Sequence, residues 1–306
     1  ELRGPFRQFF TQDTIEWFES RGVKLKIESD NRMFPITDDS QTIIDCLLNE
    51  VENLGVKIWT KCSVNTIKKD GDIFKISLED GQEINCKTCI LATGSSRAGY
   101  VLAKSLGHSI LDPVPSLFTF KINDSELQKL QGLSVKHAQV KLPGKPVQFG
   151  PILVTHWGLS GPAIIKLSAW QARFLNQECY KTPIIIDWLP DYSASDLKAK
   201  LQKHRDSGPK KACVTESLFS ELPQRLWRYL VLRAGLSEKQ VWATLQDKML
   251  ESLVRQLKSG DFDITGKGVF KEEFVTCGGV NLKEINFKTM ESKCCPGLHI
   301  ACLPFI

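Results

Sequence analysis

Lys87-Thr88-Cys89-Ile90-Leu91-Ala92-Thr93-Gly94 reads as a short buried strand, apolar from 89 to 92, that stops on small residues. Small residues at a strand's carboxyl end let a ligand lie close to backbone, and ligands of doubly wound sheets gather at that edge. Any strand-to-turn junction can end in Thr-Gly, so Ala92, Thr93 and Gly94 take their meaning from what surrounds them.

Upstream, Asp13 to Arg21 predicts a short helix stopped by Gly22, and Val23-Lys24-Leu25-Lys26-Ile27 alternates as a half-buried strand. A second helix follows Asp39 or Ser40. Ile43, Ile44, Leu47, Leu48, Val51 and Leu54 form its apolar stripe, Cys46 reads as core, and Gly55 ends it. Val56 to Thr60 is expected to be another strand. Val64 to Lys68, Ile73 to Leu78 and a third strand are joined by Asp70-Gly71 and Asp80-Gly81, pairs that favour tight hairpins. Strand, helix, strand, meander, strand and glycine together give the pattern of a nucleotide-binding α/β domain with an inserted meander.

From Pro113 the texture changes. Leu117 to Ile122, Val135 to Lys141, Val147 to Thr155 and Pro183 to Trp188 are short strands that suggest a small β-barrel or sandwich. Ser193 to Lys258 is helical. Ser237-Glu238-Lys239-Gln240 is expected to cap a helix whose stripe runs Val241, Trp242, Leu245, Met249, Leu253 and Leu257. Strand texture returns at Phe262 to Val280, so the helical block is inserted in the β domain. The expected boundaries are 1–112 for the nucleotide domain, 113–192 and 259–280 for the β domain, 193–258 for the helical insert, and 281–306 for a return to the first domain.

The composition agrees with an ordinary globular chain: 306 residues, 42% hydrophobic and 25% charged, with a net charge of +5. Collagen-like and low-complexity classes are excluded, and two domains fit the length at about 150 residues each. No apolar run approaches the ~18 residues of a membrane span, so no membrane partner is expected. The positive charge is concentrated in Lys198, Lys200, Lys203, Arg205, Lys210 and Lys211. Without interleaved aromatics that stretch reads as a solvated helix face, and no nucleic-acid partner is expected. Ten cysteines without a visible signal peptide point to reduced thiols in a soluble, intracellular protein. Because the first residue is Glu1, cytoplasm and organelle both stay open.

Candidate chemistry is sparse. Thr155-His156-Trp157-Gly158-Leu159-Ser160-Gly161-Pro162 is a shaped loop opening a helix at 163–170, whose amino end suits an anion. His156 could move a proton, though a histidine in a turn reads equally as structural. His108 after Gly107 reads as a helix-end cap. Cys277, beside Gly278-Gly279, reads as a buried strand cysteine. Cys86-Lys87-Thr88-Cys89 has CxxC spacing, but on one strand its thiols would face opposite sides, and no metal site is expected. There is no G-x-G-x-x-G, Walker loop, H-E-x-x-H or G-x-S-x-G in the 306 residues.

Several segments in this order resemble one family. They are Asn31-Arg32-Met33-Phe34-Pro35, Leu91-Ala92-Thr93-Gly94, Leu106-Gly107-His108 and Pro113-Val114-Pro115-Ser116-Leu117, then Gly150 to Pro162, Val275-Thr276-Cys277-Gly278-Gly279-Val280 and Thr289-Met290-Glu291-Ser292-Lys293. They are similar to FAD-containing flavoproteins of the NAD(P)/FAD-dependent oxidoreductase family, which includes aminoacetone oxidase and a bile-acid-pathway flavoprotein. The resemblance implies a two-piece FAD domain of glutathione-reductase type, an inserted β-barrel and a small helical domain.

It also implies FAD as cofactor, leaves NAD(P)H open as electron donor, and points to redox chemistry on a small organic substrate. Carried over by motif, the strand at Val64 would offer backbone to adenine, and Ala92, Thr93 and Gly94 would pass close to the dinucleotide. Thr155, His156, Gly158, Ser160 and Gly161 would lie on the substrate side of the flavin. The family's opening strand–glycine loop–helix unit would lie upstream of Glu1, and Cys302-Leu303-Pro304-Phe305-Ile306 replaces its Gly-Glu and Asp-Gly continuation. Asn31 and Ser95 stand where the family has glycine. The expectation is therefore an incomplete FAD domain with weak or no FAD retention, and, as the alternative function, a non-catalytic interaction protein built on the barrel and helices.

Overall fold

The structure is a computed structural model that describes residues 3–28, 32–268 and 275–301. The sequence readings at Asn31 and at Cys302 to Ile306 lie outside the described residues. The chain divides into two compact units, one formed by residues 1–111 with 279–305 and the other by residues 112–278. It is a mixed α/β chain with a closed β-barrel and associated helices.

The first unit is built around a four-stranded sheet in the order Ile285–Asn286, Glu291–Ser292, Leu298–Ile300, Cys89–Leu91. Its last pair is parallel, with Leu298 opposite Cys89 and Ile300 opposite Leu91. Leu91, Leu298 and Ile300 are buried with Phe74 of the meander and with Tyr100, Leu102 and Ala103 of helix Arg97–Ser105. The meander forms as its two Asp-Gly turns dictate, through Val64–Asp70, Ile73–Leu78 and Glu83–Cys86. Gly71 and Gly81 take φ of +58° and +86° there.

Three expectations for this unit change. Val56 to Thr60 forms no strand, and Val56, Ile58 and Trp59 stand more than half exposed. Leu25–Ile27 is one arm of a hairpin with Met33–Pro35. Helix Ser40–Asn53 starts where Asp39 accepts the Gln41 amide, as its sequence asks, yet its apolar stripe is not covered. Cys46 is buried, whereas Ile44, Leu47, Leu48 and Leu54 are 45–70% exposed. Periodicity reports which face is apolar, and among the described residues most of that face is left open to solvent.

The second unit is a closed six-stranded barrel in the order Gln148–Thr155, Gly158–Ser160, Phe120–Ile122, Gly260–Lys267, Thr182–Asp187, Ser134–Lys141. Every neighbouring pair is antiparallel. Closure leaves no unpaired edge, and alternate residues such as Val135, Ile152, Val154, Ile184 and Ile186 point into one continuous core. The helices Ala194–Asp206, Gln224–Arg233 and Asp247–Ser259 lie in sequence between two barrel strands and share that core through Trp188, Trp227 and Trp242.

Ser237 to Gln240 does not cap a helix. It makes a turn, with the Gln240 amide donating to the Ser237 carbonyl. Trp242–Thr244 is a 3₁₀ turn, and the helix starts only at Asp247. The reciprocal cap sits instead at Ser193 and Asp196, where each side chain satisfies the other's amide.

Candidate functional site

The residues expected near the dinucleotide in the first unit, Ala92, Thr93 and Gly94, sit at the carboxyl end of the parallel pair. After Leu91 the chain turns through Ala92, Thr93 and Gly94, and the Ser96 amide donates to the Thr93 carbonyl at 3.2 Å. Gly94 has φ +57°, and helix Arg97–Ser105 begins immediately afterwards. The helix approaches closely because residue 99 is glycine: a Cβ there would collide with the Thr93 hydroxyl. Ala92 is exposed, Thr93 and Gly94 are half-buried, and Val64, 37% exposed, opens a strand of the separate meander sheet.

The Thr93 hydroxyl oxygen is buried and has no hydrogen-bond partner. A buried orphan of this kind costs about 1–3 kcal/mol unless a ligand or water satisfies it. The hydroxyl lies against the helix at Gly99, and what fits the sugar and ribityl portion of a dinucleotide is the glycine turn beside it, at the ligand edge of a parallel pair. The pyrophosphate is different. It needs a glycine loop of amides, and the 306 residues contain no G-x-G-x-x-G to provide one. The fit to FAD is therefore to one stretch of the cofactor.

In the second unit, 155–162 is not the loop expected. Thr155 and Gly158 pair across the two-residue turn His156-Trp157, and Gly158–Ser160 is a barrel strand. Its glycines serve closure. A Cβ on Gly158 would lie 2.6 Å from the Ile122 amide nitrogen, and one on Gly161 would lie 2.7 Å from the Pro151 carbonyl. Backbone-tight glycines on a short run of sequence look alike whether they admit a ligand or a neighbouring strand, and so the reading missed the strand. Helix Pro162–Trp170 starts from Gly161 as expected. His156 is exposed, with its ring edge-on to Trp157 at 4.3 Å, while the buried Thr155 hydroxyl lacks a partner. Ser160 is half-buried in the new strand.

His108 does more than end a helix. Its amide donates to Ala103, which completes the helix terminus, but its fully buried ring also donates through Nδ1 to Glu284 Oε2 at 2.8 Å. Ser109 donates both its amide and its hydroxyl to the same carboxylate. Partial burial pushes the Glu284 carboxyl up, and these hydrogen bonds outweigh it and hold the group below its ordinary range. Cys294 Sγ joins His108 and Glu284 within 4.8 Å, close enough for a metal. With both carboxylate oxygens already accepting and His108 at hydrogen-bond distance, the arrangement is a clasp between the helix end and the 281–286 segment.

The cysteines read as structural. Cys277 is buried in strand Val275–Val280. Cys86 and Cys89 lie on two different strands, Glu83–Cys86 and Cys89–Leu91, rather than on one. Burial pushes the Cys213 thiol up to about 11. The basic stretch is stitched to its neighbours: Lys198 pairs with Glu251 at 2.7 Å, Arg205 with Asp247 at 2.5 Å and Lys211 with Glu216 at 3.1 Å. Lys200 lies 4.5 Å over the Phe219 ring.

A family model described as HI0933-like protein barrel and H2TH domain matches residues 114–275, which is over half of the chain and nearly all of the second unit. The chain belongs to the HI0933-like family. A second model, pyridine nucleotide-disulphide oxidoreductase, matches residues 14–109 of the first unit. Together they establish this HI0933-like protein as a member of the FAD-dependent oxidoreductases, in agreement with the sequence motifs.

A 3-dehydro-bile acid delta(4,6)-reductase of Clostridium scindens is 28% identical, covering 97% of this chain and 75% of the relative. Two ribosomal RNA dihydrouridine synthases are similar to a like degree. That of Haemophilus influenzae is 26% identical over 97% of this chain and 74% of its own length, and that of Escherichia coli 28% over 95% and 72%. Among the described residues no helix is long and apolar enough to cross a membrane.

Proposed function

We propose that this HI0933-like chain serves a flavin-dependent reductase that adds two hydrogens across a carbon–carbon double bond of an organic substrate, with NAD(P)H as the electron donor. The relatives support the reaction class: a delta(4,6)-reductase and the dihydrouridine synthases are both named for saturating a double bond. When bound, FAD supplies the hydride. The chain's own residues bind and orient. Thr93 and Gly94 hold a backbone turn at the sheet edge, beside the exposed Ala92, against which the dinucleotide would lie.

The glycine turn at that edge carries the reading. We take the substrate to be a small molecule: the basic stretch, the one sequence feature that suits RNA, spends Lys198, Arg205 and Lys211 on ion pairs with its own neighbours. The second reading is an interaction protein built on the barrel and helices, which share a core of their own. These 306 residues hold no G-x-G-x-x-G, so the polypeptide alone is expected to hold FAD weakly, each charge-assisted hydrogen bond to phosphate being worth roughly 1.5–3 kcal/mol.

The test is flavin absorbance during titration of the purified 306-residue polypeptide with FAD, followed by NAD(P)H-dependent reduction of a steroid 4-en-3-one and of a uridine-containing RNA. Weak but saturable FAD uptake, lowered about tenfold by Ala92→Trp at the exposed sheet edge, is the expected result. Uptake unaffected by that change would remove the sheet edge at Ala92 from the site. No uptake and no turnover would leave the interaction-protein reading standing, and turnover of the RNA alone would replace the small-molecule substrate.

A further inference from the structure

Two exposed faces of the first unit are apolar at the centre and opposite in charge at the edge. One is the outer side of helix Ser40–Asn53. Ile44, Leu47 and Leu48 stand 45–49% exposed there, and Val51 follows at the i, i+3, i+4, i+7 spacing of one stripe. The helix carries Asp45, Glu50 and Glu52 and no base, and Lys57 comes only after the chain turns at Gly55. Glu50 is neutralised by Arg21 at 2.6 Å. Asp45 and Glu52, at i and i+7 along one edge of the stripe, meet no cation among the described residues, and Asp45 accepts only from the Gln41 side-chain amide at 2.7 Å.

The other face is aromatic and basic. Helix Arg3–Gln8 lies on the turn at Phe287 and Lys288, so closely that a Cβ on Gly4 would be 3.1 Å from the Phe287 carbonyl oxygen. Phe6, Phe9 and Phe10 are 51–52% exposed, and the Phe6 and Phe10 rings meet edge to face at 5.6 Å. Arg3 and Arg7 stand one turn apart on the helix, and Lys288 lies beside Gly4. All three bases are exposed, and among the described residues none makes an ion pair or a side-chain hydrogen bond. Even with Asp13, which accepts the Phe10 amide, counted against them, three cations less one carboxylate leave two positive charges. The stripe has two negative ones, Asp45 and Glu52.

We propose that these faces bind each other between copies of this chain, with Phe6, Phe9 and Phe10 of one molecule covering Ile44, Leu47 and Leu48 of the next. Rings laid on aliphatic side chains remove apolar area from water on both surfaces, and the edges then meet with opposite charge. Stripe against stripe would oppose acids with acids, and aromatic face against aromatic face would oppose arginines with arginines. An anionic lipid surface would suit the aromatic face but leave the acidic stripe uncovered, whereas a second copy covers both. Because the two faces differ, the contact is heterologous.

The experiment is analytical ultracentrifugation of the 306-residue chain from about 1 to 300 μM, where association with a Kd of about 10–100 μM is expected. A solution of about 1 μM is then monomeric, with its stripe open. Raising the ionic strength from about 0.05 to 0.5 M should weaken the association several-fold, because exposed charges are screened. Arg3→Glu/Arg7→Glu and Asp45→Lys/Glu52→Lys change only exposed side chains, so both variants are expected to keep their far-UV circular dichroism. Each alone should associate about tenfold more weakly or worse, since like charges then face each other across the contact. An equimolar mixture of the two should return to within about threefold of the parent affinity, because each variant presents the other with opposite charge.

A chain still monomeric at about 300 μM would overturn the proposal, as would an association that both variants leave unchanged or a mixture that stays apart. Co-sedimentation with vesicles of phosphatidylcholine and phosphatidylserine provides the second arm. A monomeric chain that binds those vesicles, and loses them with Arg3→Glu/Arg7→Glu, would give the aromatic face to a lipid surface instead. Flavin absorbance is not part of the readout, so failure here leaves the flavin assignment untouched.

Discussion

Gly161 carries two constraints at once. Its φ of +99° is a region that L-residues rarely adopt, and an added Cβ would meet the Pro151 carbonyl at 2.7 Å and the Leu153 amide nitrogen at 2.9 Å. Backbone atoms in a closed barrel cannot move aside cheaply, so strain and overlap add. Gly161→Ala is expected to cost about 2–4 kcal/mol in urea unfolding. Gly22 isolates the first term, since its φ is +84° with nothing within 4 Å, and Gly22→Ala is expected to cost only about 1–2 kcal/mol. Equal costs would mean that the barrel yields to the added carbon. At this scale the sequence told which residues are special but not why. Two glycines around Leu159-Ser160 were legible as a shaped turn, whereas their close approaches, Gly158 to Phe120–Ile122 and Gly161 to Pro151–Leu153, are made to strands the segment itself does not contain.

At the scale of elements, two capping signals compete for the helical insert, and only one is used. Ser237 and Gln240 match the preferred Ser-x-x-Gln pattern, yet the segment after them is held by distant partners. The Cys213 amide donates to the Gln240 carbonyl at 2.7 Å, Val241 bridges to Ala212, and Trp242 is buried against Trp227. Burial of one tryptophan outweighs the roughly 1 kcal/mol that a cap contributes, so Val241 to Leu245 cannot begin a helix. Ser193 and Asp196, with no such competitor, form the working cap. Ser193→Ala should therefore lose about 1 kcal/mol, and Ser237→Ala should stay within about 0.5 kcal/mol of the parent. Thermal unfolding of both variants decides it, and the reverse ranking would mean that the Ser237 turn starts a helix in solution. The strands were legible wherever alternation was long, as in Ser134–Lys141 and Gln148–Thr155. They were not legible in the three-residue Gly158–Ser160, which has too few positions to show a period.

The two units differ as wholes in how they bury apolar surface. The barrel unit closes on itself and shares one core with its helices, with Leu127, Leu142, Ile152, Leu159 and Ile164 all fully buried. The other unit has a small core around Phe74 and Leu298, and it leaves Ile27, Ile44, Leu47, Leu48, Leu54 and Ile90 between 45% and 70% exposed. Apolar area facing water contributes nothing to stability, so helix Ser40–Asn53 is held by its cap and a narrow contact surface. Hydrophobic periodicity announced that helix correctly but could not say whether its stripe had a partner, because covering depends on the surrounding fold rather than on the segment. The candidate site divides in the same way: the Thr93 turn was visible as small residues after an apolar strand, while the His108–Glu284 clasp joins positions 176 residues apart and left no local signal. The contrast in burial predicts unequal protection for the 306-residue polypeptide. In hydrogen exchange, amides of Ser134–Lys141 and Thr182–Asp187 should exchange only through global opening of the barrel unit, and those of Ser40–Asn53 should exchange about a hundredfold or more faster. Uniform protection across both sets would show that the exposed stripe is covered in solution, by self-association or by a ligand, and repeating the measurement at tenfold dilution separates those two, since only self-association weakens as the protein is diluted.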